Sequence, residues 1–556
     1  MFNSPSYKSD SASLRIFGAF LLTGFLGLFL LSCNGSSSPA MQPPPPPPGT
    51  GGTDVTTYHN DNARTGQNLS ETILTSSNVN STNFGKLFVI SVDGKVDAQP
   101  LYLGQINVGS QGAHNVLFVA TEHGSVYAFD ADTGSALWQV STVPPGETTS
   151  DDHGCSQVTP EIGVTSTPVI DRKAGTNGTI YVVAMSKDGS GKYHQRLHAL
   201  DVTTGAEEFG GPTDIQASFP GTGDNSSGGK VTFDAGQYAE RAGLTLVNGV
   251  VYTAWTSHCD IRPYTGWLIG YDQGTLAQVS VLNFTPNGNE GSVWMAGSGP
   301  AVDSSGNIFL LDANGTFDSA LNSSGFPAQG DFGNAFLKIS TTNKQLAVAD
   351  YFEMFNQAGE NGSDEDLGSG GALVLPDLTD SSNNTRHLAV GAGKDANIYV
   401  VDRDAMGKFT PGSNNIYEEI QGALAGEVFS MPAYFNNAVY YGAVGDRIKA
   451  FAITNAKLAS APGSQTATAF GFPGSTPSIS ANGTSGAILW AAENGGAAVL
   501  HAYDATNLAT ELYNSNQASG GRDQFGAGNK FITPMVTNGK VYVGTTNGVG
   551  VFGLLH

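Results

Sequence analysis

Charge is scarce in this chain. Only 13% of its 556 residues are charged, and 25 Lys and Arg face 48 Asp and Glu for a formal net charge of -23. No Lys/Arg cluster interrupts that field, so phosphate backbones and anionic headgroups are repelled and nucleic acid is excluded as a partner. Cysteine is scarcer still, at three. No Cys-x-x-Cys-His haem attachment, P-loop or Gly-x-Ser-x-Gly elbow is present, which removes three chemistries at the level of sequence. Electrons, if the chain handles any, leave through a separate carrier.

Long apolar runs are also missing, with one exception. Lys8 and Arg15 precede an uncharged stretch from Ile16 to Leu31 that ends in Leu30-Leu31-Ser32-Cys33. This reads as an export signal over residues 1–32, too short for a comfortable membrane span. Its ending resembles a bacterial lipobox, which makes Cys33 the lipidated first residue of the mature protein. Residues 33–53 follow as a tether with six consecutive prolines, Pro43 to Pro48. Such a run is a semi-rigid spacer between membrane and body. The expected location is the bacterial cell envelope, lipid-anchored, periplasmic or at the outer-membrane surface.

What the chain does have is glycine, 73 of them, with abundant Asn, Ser and Thr. That composition describes many short strands joined by tight turns, an all-β protein. At this length a single core does not suffice, so repeats are expected. From about Asp54 a two-part unit recurs eight times. The first parts start near Pro100, Pro168, Gly243, Pro300, Gly371, Pro432, Pro477 and Pro534, each leading into an alternating stretch such as "TPMVTNGKVYVGT". The second parts include "VYAFDADTGSALW" from Val126 and "LHALDVTTGAEEF" from Leu197, in which Asp-x-x-Thr-Gly supplies a turn with a positive-φ glycine. Trp138 is expected to dock between units. Residues 54–556 therefore read as an eight-bladed β-propeller of four-stranded blades. The last copy stops at "VGVFGLLH", while "KLFVISV" (Lys86 to Val92) precedes the first inner strand. The amino-terminal strand is thus expected to complete the last blade and remove a free sheet edge.

The Asp-x-x-Thr-Gly-x-x-x-Trp turn resembles the repeat of pyrroloquinoline quinone (PQQ) propellers. "YHNDNARTGQN" with "NVNSTNFGKLF" (Tyr58 to Phe88) is similar to the opening of the quinoprotein alcohol dehydrogenases, and "GAGKDANIYVVDRDAMGKF" (Gly391 to Phe409) resembles their basic-residue strand. The resemblance implies a quinone on the propeller axis between a Trp and a disulfide, with Ca²⁺ and a catalytic Asp beside it. Matched singly, the stacking Trp becomes Trp294 and the metal-ligand Asn becomes Asn314. The base becomes Asp331, and the cation on the quinone oxygens becomes Lys394. "SHCDIRPYTGWLIGYD" resembles the calcium-ligand segment and offers Asp260.

The sequence also departs from that pattern. Where the resemblance implies adjacent cysteines, Cys155 stands alone. In an exported protein the two remaining cysteines commonly pair, and the implied geometry brings both segments to the axis, so Cys155 is expected to bond Cys259 beside the cofactor site. A zinc or copper site from His153, Cys155, His258 and Cys259 is the alternative. "NGSDEDLGSGG" concentrates Asp364, Glu365 and Asp366 and reads either as a cation-binding loop or as a solvated one. Lys394 on the axis needs an anionic partner. Two functions stay open. One is a binding or assembly scaffold with a degenerate cofactor site, whose partners are the membrane through the anchor and other envelope proteins. The other is a PQQ- and Ca²⁺-dependent dehydrogenase acting on a small alcohol or sugar.

Overall fold

The computed structural model describes residues 53–555. The expected signal segment, Cys33 and all but the last residue of the tether lie outside the described residues. Among these, eight sheets have four or five strands, and they follow one another along the chain. The first is Leu101–Asn107, Ala113–Ala120, Ser125–Asp130 and Ala136–Ser141, each antiparallel to its neighbour. The others repeat that meander. The third is built on Val250–Ser257, Trp267–Asp272 and Gln278–Asn283, and the fifth runs Leu373–Val374, Leu388–Ala392, Ile398–Asp402 and Glu418–Ile420. In the eighth, Met535–Thr537, Lys540–Gly544 and Gly548–Leu554 are joined by Phe84–Ser91, so strands from the two ends of the chain share one ladder. A three-stranded patch around Lys230–Thr232 and one short helix, Gln357–Ser363, decorate this plan.

The Asp-x-x-Thr-Gly turns explain why the meander repeats. Asp130 Oδ1 accepts hydrogen bonds from the backbone N–H of Asp132 (3.0 Å) and Thr133 (2.7 Å), while Gly134 at φ +75° donates back to the Asp130 carbonyl. The carboxylate replaces ladder partners exactly where the chain reverses, and glycine takes the left-handed conformation without a Cβ penalty. The second copy does the same through Asp201 and Thr203. Trp138 links the two sheets: its Nε1 donates to the Val202 carbonyl at 3.0 Å, and a Cβ on Gly205 would stand 2.8 Å from its ring. Apolar side chains pack between neighbouring sheets in the same way, Phe118, Ile180 and Tyr542 sharing one cluster across the first, second and eighth.

The segment from Thr53 to Asn68 hydrogen-bonds to all eight sheets. Its backbone pairs with Tyr102, Ile170, Val302, Val374, Tyr434 and Ile479, one residue from each of six first strands. The third sheet is reached by Arg64, whose Nη2 donates to Thr245 Oγ1 at 2.9 Å, and the eighth by Asn68, whose Nδ2 donates to the Val536 carbonyl at 3.1 Å. Arg64 is wholly buried and also bonds Pro300, Thr57 and the Tyr58 carbonyl, so its guanidinium is saturated by oxygen acceptors. The first strands of the sheets therefore converge on one central strap, and their inner edges are capped.

Candidate functional site

In the connections ahead of first strands and in the turns after second strands the chain passes the centre, and side chains there enclose a cavity of about 140 Å³. Asp260 from a turn of the third sheet, Trp294 from the connection between the third and fourth, and Lys394 from a turn of the fifth all line it, so three sequence-matched residues meet. Trp294 is 9% exposed. Asp260 accepts a hydrogen bond from the Tyr264 hydroxyl at 2.8 Å, and burial raises its pKa. Lys394 Nζ lies 2.6 Å from Asp366 and 2.8 Å from Asp364. Burial pulls the ammonium's pKa down, but the two carboxylates outweigh it and hold the value above the ordinary one.

The acidic loop is solvated in part: Asp364 and Glu365 are exposed, and Asp366 turns inward. Asp366 is buried, and with Asp364 it supplies the anionic partner that Lys394 needs. Asn314 stands on the same cluster: its N–H donates to Asp366 Oδ1 and its Nδ2 to Asp364 Oδ1, while its own Oδ1 is buried without a partner. Asp331 lies elsewhere. It is not among the residues lining the cavity, and it accepts the backbone N–H of Asn287 at 2.8 Å. Burial raises its pKa to about 6.

Cys155 and Cys259 stand at disulfide distance, with Cα atoms 5.8 Å apart. The Cys259 N–H donates to Gln157 Oε1, and Gln157 lines the cavity, so the cysteine pair reaches the site through that amide. His153 and His258 stack face to face with centroids 3.8 Å apart, which turns their nitrogens away from a common point. That corrects the alternative of a zinc or copper site. Among the described residues no group of three or more His, Cys, Asp or Glu side chains has metal-binding geometry.

Several lining residues escape the family-style reading. Arg241, Lys530 and the rings of Phe429, Phe472 and Phe531 complete the wall. A signal was present: Arg241, Phe429, Lys530 and Phe531 lie two to four residues ahead of Gly243, Pro432 and Pro534, the starts of first strands. In a chain with so few cations, a basic residue at that recurring position marks the centre. A larger groove of about 650 Å³ opens beside Tyr193 and Phe233, but none of the sequence-matched residues line it.

Comparison with known proteins decides the architecture. No family model matches the chain, and no curated protein sequence does. Solved structures do. The quinohemoprotein alcohol dehydrogenase of Comamonas testosteroni aligns over 90% of this chain and 80% of its own, with a TM-score of 0.58 and 13% identity. One from Pseudomonas putida HK5 aligns over the same shares at 14% identity and TM-score 0.58. The chain has the quinoprotein alcohol dehydrogenase fold. A europium-containing methanol dehydrogenase extends the likeness to 92% of this chain and 99% of its own, at 13% identity and TM-score 0.56. The fold is therefore a β-propeller, the strap of Thr53 to Asn68 lies on its axis, and the cavity is axial. No helix among the described residues is long and apolar enough to cross a membrane.

Proposed function

We propose that this chain is an envelope-anchored, eight-bladed propeller that binds a small ligand in its axial cavity, and that its quinone site is degenerate. The eight sheets are the blades, and the pairing of Phe84–Ser91 with Gly548–Leu554 closes the ring. Cys33 carries the lipid anchor. The solved neighbours are alcohol dehydrogenases, so the alternative is a PQQ- and Ca²⁺-dependent dehydrogenase of the same fold.

The observation that carries the reading is the ion cluster of Lys394. Calcium takes six to eight oxygens, largely carboxylate and carbonyl. Here Asp364 and Asp366 already share one ammonium at 2.8 and 2.6 Å, and Asp260 accepts a hydrogen bond from Tyr264. The unpartnered Asn314 Oδ1 is one suitable donor, not a cage. The ion does not fit this donor set. Nor does the quinone fit the space: Trp294 and three cations suit a flat anion, but about 140 Å³ is well under the roughly 300 Å³ at which pockets for drug-sized ligands begin, so the occupant must be smaller than a tricyclic quinone. Asp331, matched to the base, does not line the cavity, so no proton-transfer step is assigned to it.

Incubating the purified protein with PQQ and Ca²⁺, then measuring bound-quinone absorbance and reduction of an artificial dye with alcohols and sugars, tests this. Neither signal is expected. Stoichiometric quinone uptake with alcohol-dependent dye reduction would overturn the reading in favour of the dehydrogenase.

A further inference from the structure

Two further cations line the cavity, Arg241 and Lys530. Arg241 is 7% exposed, and its Nε is buried with no hydrogen-bond partner. Among the described residues no acidic side chain lies within ion-pairing distance of Arg241 or Lys530, whereas Lys394 has two. Their shared neighbour is a ring: the Phe531 centroid is 4.8 Å from the Arg241 guanidinium carbon and 5.8 Å from Lys530 Nζ. The nearest acids are bonded elsewhere: Glu122 accepts the Gly163 N–H at 2.9 Å, with burial holding its pKa well above the usual carboxylate range, and Asp97 accepts from Asn529 Nδ2 at 2.7 Å. Burial and the Arg241 charge push Lys530 down to about 8.

A buried guanidinium without acceptors is costly, and the cost is removed when an oxyanion accepts its forked N–H groups. The rest of the wall states what that oxyanion is attached to. Phe429 and Phe472 meet edge to face at 5.4 Å, and Phe472 meets Phe531 the same way at 6.2 Å. Phe472 is 56% exposed, a large apolar ring left in water at the edge of the cavity. Phe531 holds φ +67°, a conformation a bulky side chain keeps only where its surroundings impose it. A cavity of about 140 Å³ with aromatic walls and two unanswered cations has room for one ring and one anionic group.

We infer that the axial cavity binds a small aromatic carboxylate, its carboxylate on Arg241 and Lys530 and its ring among Phe429, Phe472 and Phe531. This rests on the small-ligand reading of the same cavity. Recognition needs no metal and no covalent step, and on the acidic side of the cavity Lys394 pairs with Asp366 at 2.6 Å.

Benzoate titrated into the full-length protein by calorimetry is the test, with benzamide, which has the same shape and no charge, and inorganic phosphate, which has charge and no ring, as the contrasts. Benzoate is expected to saturate at one per chain, at least tenfold tighter than either contrast, and to weaken as salt rises. Arg241→Gln and Lys530→Gln should each weaken it about tenfold or more while benzamide is unaffected. Lys530 is only half-buried, so its variant keeps the test decisive if the Arg241 variant fails to fold. Equal binding of benzoate and benzamide, or an unchanged Lys530→Gln, overturns the assignment. That failure is distinct from failure of the functional reading, which quinone uptake and dye reduction alone decide.

Discussion

Lys394 Nζ sits 2.6 Å from Asp366, with both side chains largely out of water at 12% and 8% exposure. Removing the ammonium strands a buried carboxylate. Lys394→Ala is expected to cost about 3 kcal/mol, read as a lower thermal midpoint. The double variant Lys394→Met, Asp366→Asn should recover most of it. Equal midpoints for wild type and Lys394→Ala would show that the pair does not hold this loop.

Glu360 is buried and burial raises its pKa to about 8, with Asp395 adding to the effect. The folded state keeps a proton that the unfolded chain releases near pH 4.5. This contribution is full below about pH 4.5 and is lost as pH rises toward 8. Glu360→Gln should therefore match wild type near pH 4 and exceed it by about 2 kcal/mol at pH 8. Denaturant titrations at the two pH values check this, and an equal effect at both would refute the buried proton.

Phe84, on the strand that joins the eighth sheet, is fully buried and meets Trp490 at 5.4 Å and Tyr513 at 5.0 Å, rings of the neighbouring sheet. Phe84→Ala should cost roughly 3–5 kcal/mol. Limited proteolysis should then cut first within Phe84–Ser91. Cleavage beginning in the third or fourth sheet would argue against closure at this seam.

Cys155 and Cys259 lie 104 residues apart, so a bond between them removes about 4–5 kcal/mol of chain freedom from the unfolded state. Thiol labelling of denatured, unreduced protein should find neither free. Reduction should lower the midpoint, and full labelling of both without a reductant would refute the bond.

Cys33→Ser should move the protein from the membrane pellet to the soluble envelope fraction, since one lipid attachment is the proposed anchor. Persistence in the pellet would show a different attachment.

The repeat was readable because its information is local. Asp130 and Asp201 bond backbone two and three residues away, so a turn written in five residues reports a sheet wherever it occurs. All eight second parts expected from sequence fall on strands, from Ser125–Asp130 to Gly548–Leu554. The strap was not readable, because six of its eight sheets are met by backbone bonds to positions scattered over the chain, and Arg64 and Asn68 reach the other two through acceptors far away in sequence. Asp366 misled for a related reason. Asp364 and Glu365 are exposed as an acidic run suggests, and only the fold brings Lys394 across to the buried Asp366. Trp294, Asp260 and Lys394 were found by resemblance and do meet, whereas Arg241 and Lys530 needed the strand starts to be recognised as a register of the centre.

The strap of Thr53 to Asn68 makes one short segment the common property of all eight sheets. Arg64 is saturated by acceptors and Tyr58 is bonded to Thr533 and Gly297, so its side chains tie the centre as its backbone ties the first strands. A lesion in these few residues is therefore felt by every sheet at once, whereas one in an outer strand stays within its own.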